Sequence, residues 1–215
     1  MTAIEKDNIV YIRLNVNRVI YVLFEPICHE LAPGKEPPWA VFYICREEVF
    51  MERIIDVAQY IYDEYKCQSG EAIDEMKLHK LLYFTQRESL AITNEPMFNE
   101  VFEGWKYGPV SREVRNCYTK DGMYADSKEI SIENAYIAKN VILQYGALAS
   151  WKLSQLSHGE LSWRNARKGI PEGKNGSVVL ALEDIRKDAS KVRPYDAVWD
   201  MYYDEFEDED MEADV

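Results

Sequence analysis

From residue 51 onward, apolar side chains recur at helical spacing. Ile54, Ile55, Ala58, Ile61, Tyr62 and Tyr65 follow i, i+1, i+4, i+7, i+8 and i+11, a single apolar stripe along an amphipathic helix. Asp74 is placed to cap a second helix running through Leu78, Leu81 and Leu82 to Leu90, because a short acceptor before an apolar-periodic run satisfies a free N–H of the first turn. Ser111 caps a third helix carrying Val114, Cys117 and Tyr118, and Ser131 a fourth in which Ile137, Val141, Tyr145 and Leu148 share a face. Two short helices are expected at residues 150–156 and 160–167, and a last one, capped by Ser177, through Leu180, Leu182, Ile185 and Ala189. Residues 168–176 hold three glycines, a proline and an asparagine and read as a mobile connector.

The first fifty residues follow another pattern. Residues 9–14 and 19–24 are β-branched and aromatic runs, and residues 39–44 are a third; Pro33-Gly34 and Pro37-Pro38 break the chain between them. All three read as strands. The expected fold class is therefore mainly α: a compact helical domain over residues 51–203, with a small β-prone extension over residues 1–50. Met51 reads as either the true start of the protein or the first residue of its helical domain. The extension is then an upstream misread or an accessory β-element.

At 215 residues and 47% hydrophobic content, the chain can bury a core in one domain. It lacks the roughly 20 continuous apolar residues of a membrane span, and its opening does not read as a secretory leader, since Glu5, Lys6 and Asp7 begin it and Arg13 and Arg18 interrupt its early apolar runs. The expected location is the cytoplasm. Cys28, Cys45, Cys67 and Cys117 are far apart and in a reducing compartment read as small buried hydrophobes. The net charge is −13, of which residues 204–215 hold eight acids and no base, so the remainder carries −5. These last residues read as a solvated, disordered acidic tail, or else as a segment that docks on a basic partner or mimics nucleic acid. No basic face for nucleic acid is visible.

Candidate chemistry concentrates in two places. In Glu103-Gly104-Trp105-Lys106-Tyr107-Gly108-Pro109-Val110, the alternate spacing of Trp105 and Tyr107 puts both rings on one face of an extended stretch, and Gly108-Pro109 is expected to turn the chain. Such rings either pack inside or anchor a partner. In Ser157-His158-Gly159-Glu160, His-x-Glu matches part of a zinc-deaminase motif, but that motif needs a later Cys pair and no cysteine follows Cys117. Ser157 and His158 are expected instead to cap or join two short helices, with Glu160 in the first turn of the second. His79, beside Lys77 and Lys80, reads as a surface or boundary residue. Residues 169–177 lack phosphate-loop spacing. Neither a cofactor nor a metal is expected, and no enzyme activity.

Three blocks carry a resemblance. Lys77-Leu78-His79-Lys80-Leu81-Leu82-Tyr83-Phe84-Thr85-Gln86 is similar to the KLQKLLYFAQ helix of the Panacea antitoxin domain family, also called SocA-like or GepA-like. Residues 103–110 resemble its E-A-W-x-Y-G-P-V, and residues 153–167, with Trp163, Ala166 and Arg167, its LSxLTHxExPWxxAR. Ser157 replaces a Thr, Gly104 an Ala, and Ser162 stands where Pro is common. The resemblance covers residues 51–189. It implies a helical antitoxin of a bacterial or phage toxin–antitoxin system, of the kind involved in phage defence, which neutralises a cognate toxin by direct protein–protein interaction. A variant mechanism in such families is proteolytic adaptation, in which the antitoxin delivers a toxin to a protease. On this basis Trp105, Tyr107, Gly108, Pro109, Ser157, His158, Glu160, Trp163 and Arg167 are the candidate toxin-binding or motif residues.

Overall fold

The computed structural model describes residues 2–6, 9–14, 18–23, 51–119, 122–123, 126–171 and 173–196. The chain divides into two units, residues 1–49 and 50–215. The first contains an antiparallel sheet of β1 (Thr2–Lys6), β2 (Ile9–Leu14) and β3 (Arg18–Leu23), in that order. Two of these strands are the apolar runs read from the sequence; β1 is additional. The expected strand at residues 39–44 and the acidic tail lie outside the described residues.

The second unit is helical, which bears out the mainly α fold class. Its elements are α1 (Ile54–Ser69), α2 (Glu75–Thr93), β4 (Glu103–Trp105), β5 (Gly108–Val110), α3 (Arg112–Cys117), β6 (Tyr118–Thr119), β7 (Gly122–Met123), α4 (Ile132–Tyr145), α5 (Ser150–Gly159), α6 (Leu161–Ala166) and α7 (Leu182–Ala189). Among the described residues no helix is long and apolar enough to cross a membrane.

Local chemistry sets most boundaries. The side chains of Asp74, Ser111 and Ser131 accept the N–H groups of Lys77, Val114 and Asn134, capping α2, α3 and α4. Gly70 ends α1 in the left-handed conformation, and Asn94 does the same for α2. Ser177 does not cap α7, which begins five residues later after Ala181. The intervening segment runs extended beside β4: the Gly104 N–H donates to the Val178 carbonyl and the Leu180 N–H to the Phe102 carbonyl, each at 2.8 Å. Pairing with β4 satisfies backbone groups that a longer helix would otherwise have used.

α2 is the central element, enclosed by α1, α4, α5, α7 and β5. Every residue from Lys77 to Leu90 is buried. Its apolar positions meet Ile54, Ile61, Phe98, Phe102, Val141 and Leu153 in one core. Several of its buried polar side chains find partners, as burial favours. Lys77 Nζ donates to the Tyr65 hydroxyl and the Gly146 carbonyl, Gln86 bonds the backbone of Met97 and Phe98, and Lys80 Nζ donates to the Pro109 carbonyl at 3.0 Å. His79 is only 2% exposed rather than superficial, since α2 has no solvent-facing side there. Cys67 is exposed and Cys117 half-buried, so neither is the fully buried hydrophobe expected.

Candidate partner-binding site

β4 and β5 form a tight hairpin with Trp105 opposite Gly108 and Gly104 opposite Pro109. The turn is Lys106-Tyr107, not Gly108-Pro109 as the sequence suggested. Trp105 therefore ends a strand while Tyr107 occupies the turn, 54% exposed, and the two rings do not share a strand face. Gly108 and Pro109 are buried strand residues for separate reasons. Gly108 has φ +110°, and a Cβ there would meet Lys80 Cε at 2.4 Å and Ser157 Oγ at 2.5 Å. Pro109 sits opposite Gly104, whose N–H points away to Val178, so the missing proline N–H costs no ladder bond.

Trp105 is half-buried and held on three sides. Its indole N–H donates to Glu103 at 2.9 Å, the Arg115 guanidinium lies 4.8 Å above its ring, and its carbonyl accepts the Trp163 indole N–H at 2.9 Å. Arg112 in turn bonds Glu103 and holds its carboxyl below the ordinary range. Trp163 stacks on His158 with centroids 3.9 Å apart and planes 12° from parallel, and Arg167 lies 5.6 Å from its ring. Arg167 also reaches the carbonyls of Gly104 and Lys174. Burial, then the charges of Lys80 and Arg167, push the His158 pKa down, favouring a neutral ring in the stack.

The second motif divides in two. Ser157 is fully buried; its hydroxyl donates to the Ser154 carbonyl within α5 and caps no helix end. Ser154 donates instead to the Tyr107 carbonyl at 2.8 Å, seating the hairpin tip on α5. Glu160 turns inward rather than along the first turn of α6, and accepts from Arg87 at 2.5 Å. Arg87 also bonds Glu88 and Tyr145 and covers the Phe84 ring at 4.7 Å. Burial opposes the Arg87 charge, but Glu160 and Glu88 outweigh it and hold the guanidinium far above its usual range. The first N–H groups of α6, from Leu161 and Ser162, go to Asp188 of α7 at 2.7 and 2.9 Å.

His158 and Glu160 thus serve different partners, Trp163 and Arg87, and do not converge on one point. Among the described residues no group of three or more His, Cys, Asp or Glu side chains is arranged to hold a metal. Arg87 and Asp188, which organise this end of the molecule, were missed in the sequence. Each looks like an ordinary helical surface charge, and only the three-dimensional packing buries it.

The candidate residues therefore form one contiguous structure: a hairpin tip resting on α5, with α6 and Arg167 against its strand. Residues 78–164 match the family described as Antitoxin SocA-like, Panacea domain. The match covers less than half of the chain. A 50-residue stretch is 40% identical to Antitoxin SocA of Caulobacter vibrioides (strain NA1000 / CB15N), covering 23% of this chain and 27% of that protein. The chain thus spans about a quarter of the length of this curated relative. No solved structure matches.

Within the matched residues, the departures from the family pattern have structural counterparts. At Gly104 an added Cβ would lie 2.9 Å from the Ala166 Cβ, so hairpin and α6 meet more closely than an alanine allows. Ser162 shares a 2.8 Å hydrogen bond with the Tyr83 hydroxyl and gives its N–H to Asp188; a proline there could make neither bond.

Proposed function

We propose that this chain is an antitoxin that neutralises a cognate toxin by direct protein contact, through the face built on the β4–β5 hairpin. The observation that carries this reading is the set of aromatic rings left partly open at one edge of a Panacea-like domain, each with a cation against it: Lys106 by Tyr107, Arg115 by Trp105 and Arg167 by Trp163. Aromatic and Arg side chains dominate interface energetics, since they bury large area at low entropic cost. Trp151, on the same helix as Ser154 and His158, is exposed as well. The activity is then the free energy of one interface, without catalysis; nanomolar affinity corresponds to roughly −12 kcal/mol.

Co-expression with each adjacent reading frame tests the reading. Arrest of growth by the neighbour and rescue by this chain, in normal and protease-deficient hosts alike, is the expected result. Rescue lost only in the protease-deficient host would replace direct inhibition with the adaptor mechanism. No toxic neighbour and no rescue would contradict both.

A further inference from the structure

Behind Trp105 and Tyr107 lies a cavity of about 140 Å³ between α2, β5 and α3. Its polar lining comprises Glu75, His79, Lys80, Arg115 and Asn175. His79 Nδ1 accepts the Ser111 N–H at 3.4 Å. With Nδ1 accepting, the ring proton sits on Nε2 and makes it a donor; burial, foremost, draws the ring's pKa down. That Nε2 is buried and without a hydrogen-bond partner. The Glu75 carboxylate oxygen stands 3.7 Å away and is also without one, while Arg115 Nη1 lies 3.5 Å from the same oxygen. Lys80 Nζ donates to the Pro109 carbonyl, and as amine or ammonium it keeps at least one further N–H group.

We propose that this cavity is a carboxylate site, which receives an acidic side chain of the bound partner between the Trp105 and Tyr107 rings. The proposal rests on the antitoxin reading and gives the partner a chemistry. Donors from His79, Lys80 and Arg115 line the cavity with one acid, Glu75, which stands at 3.7 Å from His79 and 3.5 Å from Arg115, too far for a well-formed hydrogen bond to either. Unmade buried hydrogen bonds are costly, and a carboxylate, with two oxygens and no donor, can accept from all three. A carboxamide would bring N–H groups against N–H groups. Glu75 marks the chemistry without completing it. Its side chain is 36% exposed at the first turn of α2, free to swing toward solvent as the partner's acid enters.

The test titrates the full chain with N-acetyl-aspartate amide, N-acetyl-asparagine amide and acetate, following the His79 ring nitrogens by NMR. A saturable Nε2 shift is expected with the blocked aspartate and not with the blocked asparagine. Affinity should fall about tenfold in Arg115→Gln and rise about tenfold in Glu75→Gln, which removes the resident competitor. Both substitutions are at partly exposed positions, and thermal melts check that the variants fold. An equal shift with the asparagine compound, no saturable shift with any carboxylate, or weaker binding in Glu75→Gln overturns the proposal. Acetate binding with the blocked aspartate excluded also overturns it, and assigns the cavity to a free small carboxylate. Growth rescue without carboxylate binding removes this site and leaves the antitoxin reading standing; binding without rescue from any toxin does the reverse.

Discussion

Gly108 lies so close to Lys80 that no side chain fits between them: a Cβ on Gly108 would meet Lys80 Cε at 2.4 Å. The hairpin is therefore docked on the central helix through a glycine, and Lys80 fastens it by donating to the neighbouring Pro109 carbonyl. Gly108→Ala should destabilise the domain by on the order of 1–3 kcal/mol from the backbone conformation alone, with the overlap against Ser157 adding to it. Urea unfolding reads the loss. An alanine variant as stable as the parent would mean that the hairpin is not held in this position.

Lys80 has a pH signature. Burial draws its pKa down to about 7, with Asp74 and Glu75 only partly opposing the shift. Between pH 7 and the ordinary lysine range the unfolded chain holds a proton at this position that the folded chain has released. The folded state thus gains stability as pH rises from 7 toward 9.5, and bears the full cost of the buried charge below 7. Lys80→Met should remove this part of the pH dependence. Unfolding of parent and variant at pH 6.5, 8 and 9.5 checks it, and parallel stability curves would contradict the assignment.

Arg87 is the only cation bonded to the carboxylates of buried Glu88 and half-buried Glu160 among the ion pairs of the described residues. Its loss leaves two acids in a site where burial already pushes both pKa values up. Arg87→Met should cost about 3–5 kcal/mol at neutral pH. The deficit should shrink on acidification, as the two carboxyls take up protons. Chemical denaturation at pH 7 and pH 5 measures both effects; a cost of the same size at both would argue against uncompensated charge as its cause.

Tyr107 and Trp105 should separate binding from stability. Tyr107→Ala removes an exposed ring from a turn and should leave the melting temperature within a few degrees, while weakening toxin binding by about 2 kcal/mol or more. Trp105→Ala should reduce both, because the ring is half-buried and its neighbours are Glu103, Arg115 and Trp163. Paired melts and binding titrations distinguish the two. Tyr107→Ala with undiminished binding would move the interface away from the hairpin tip.

The features legible in the sequence were those decided within a few residues. Asp74, Ser111 and Ser131 cap their helices because an acceptor three residues before a free N–H acts locally. The apolar stripe of α1 faces the core for the same kind of reason. Ser177 failed because the segment after it pairs with β4, some seventy-five residues earlier, and no local signal encodes such a pairing. The hairpin turn was misplaced by reading Gly108-Pro109 as a turn dipeptide, when Gly108 serves a close approach to Lys80 and Ser157. Lys80 and Arg87 escaped notice because a charged residue in a helix normally marks a wet face, and α2 has none over this span. The candidate residues were found as motifs, but their division into an inward group (Ser157, Glu160) and a group at the hairpin edge (Tyr107, Trp163, Arg167) required the packing.

The most direct test of direct neutralisation through the hairpin face is calorimetric titration of the purified chain with the purified product of the toxic neighbouring frame. A saturable complex formed by the two proteins alone, and weakened by Tyr107→Ala, is the predicted result. Absence of any complex, with growth rescue intact in cells, would contradict it.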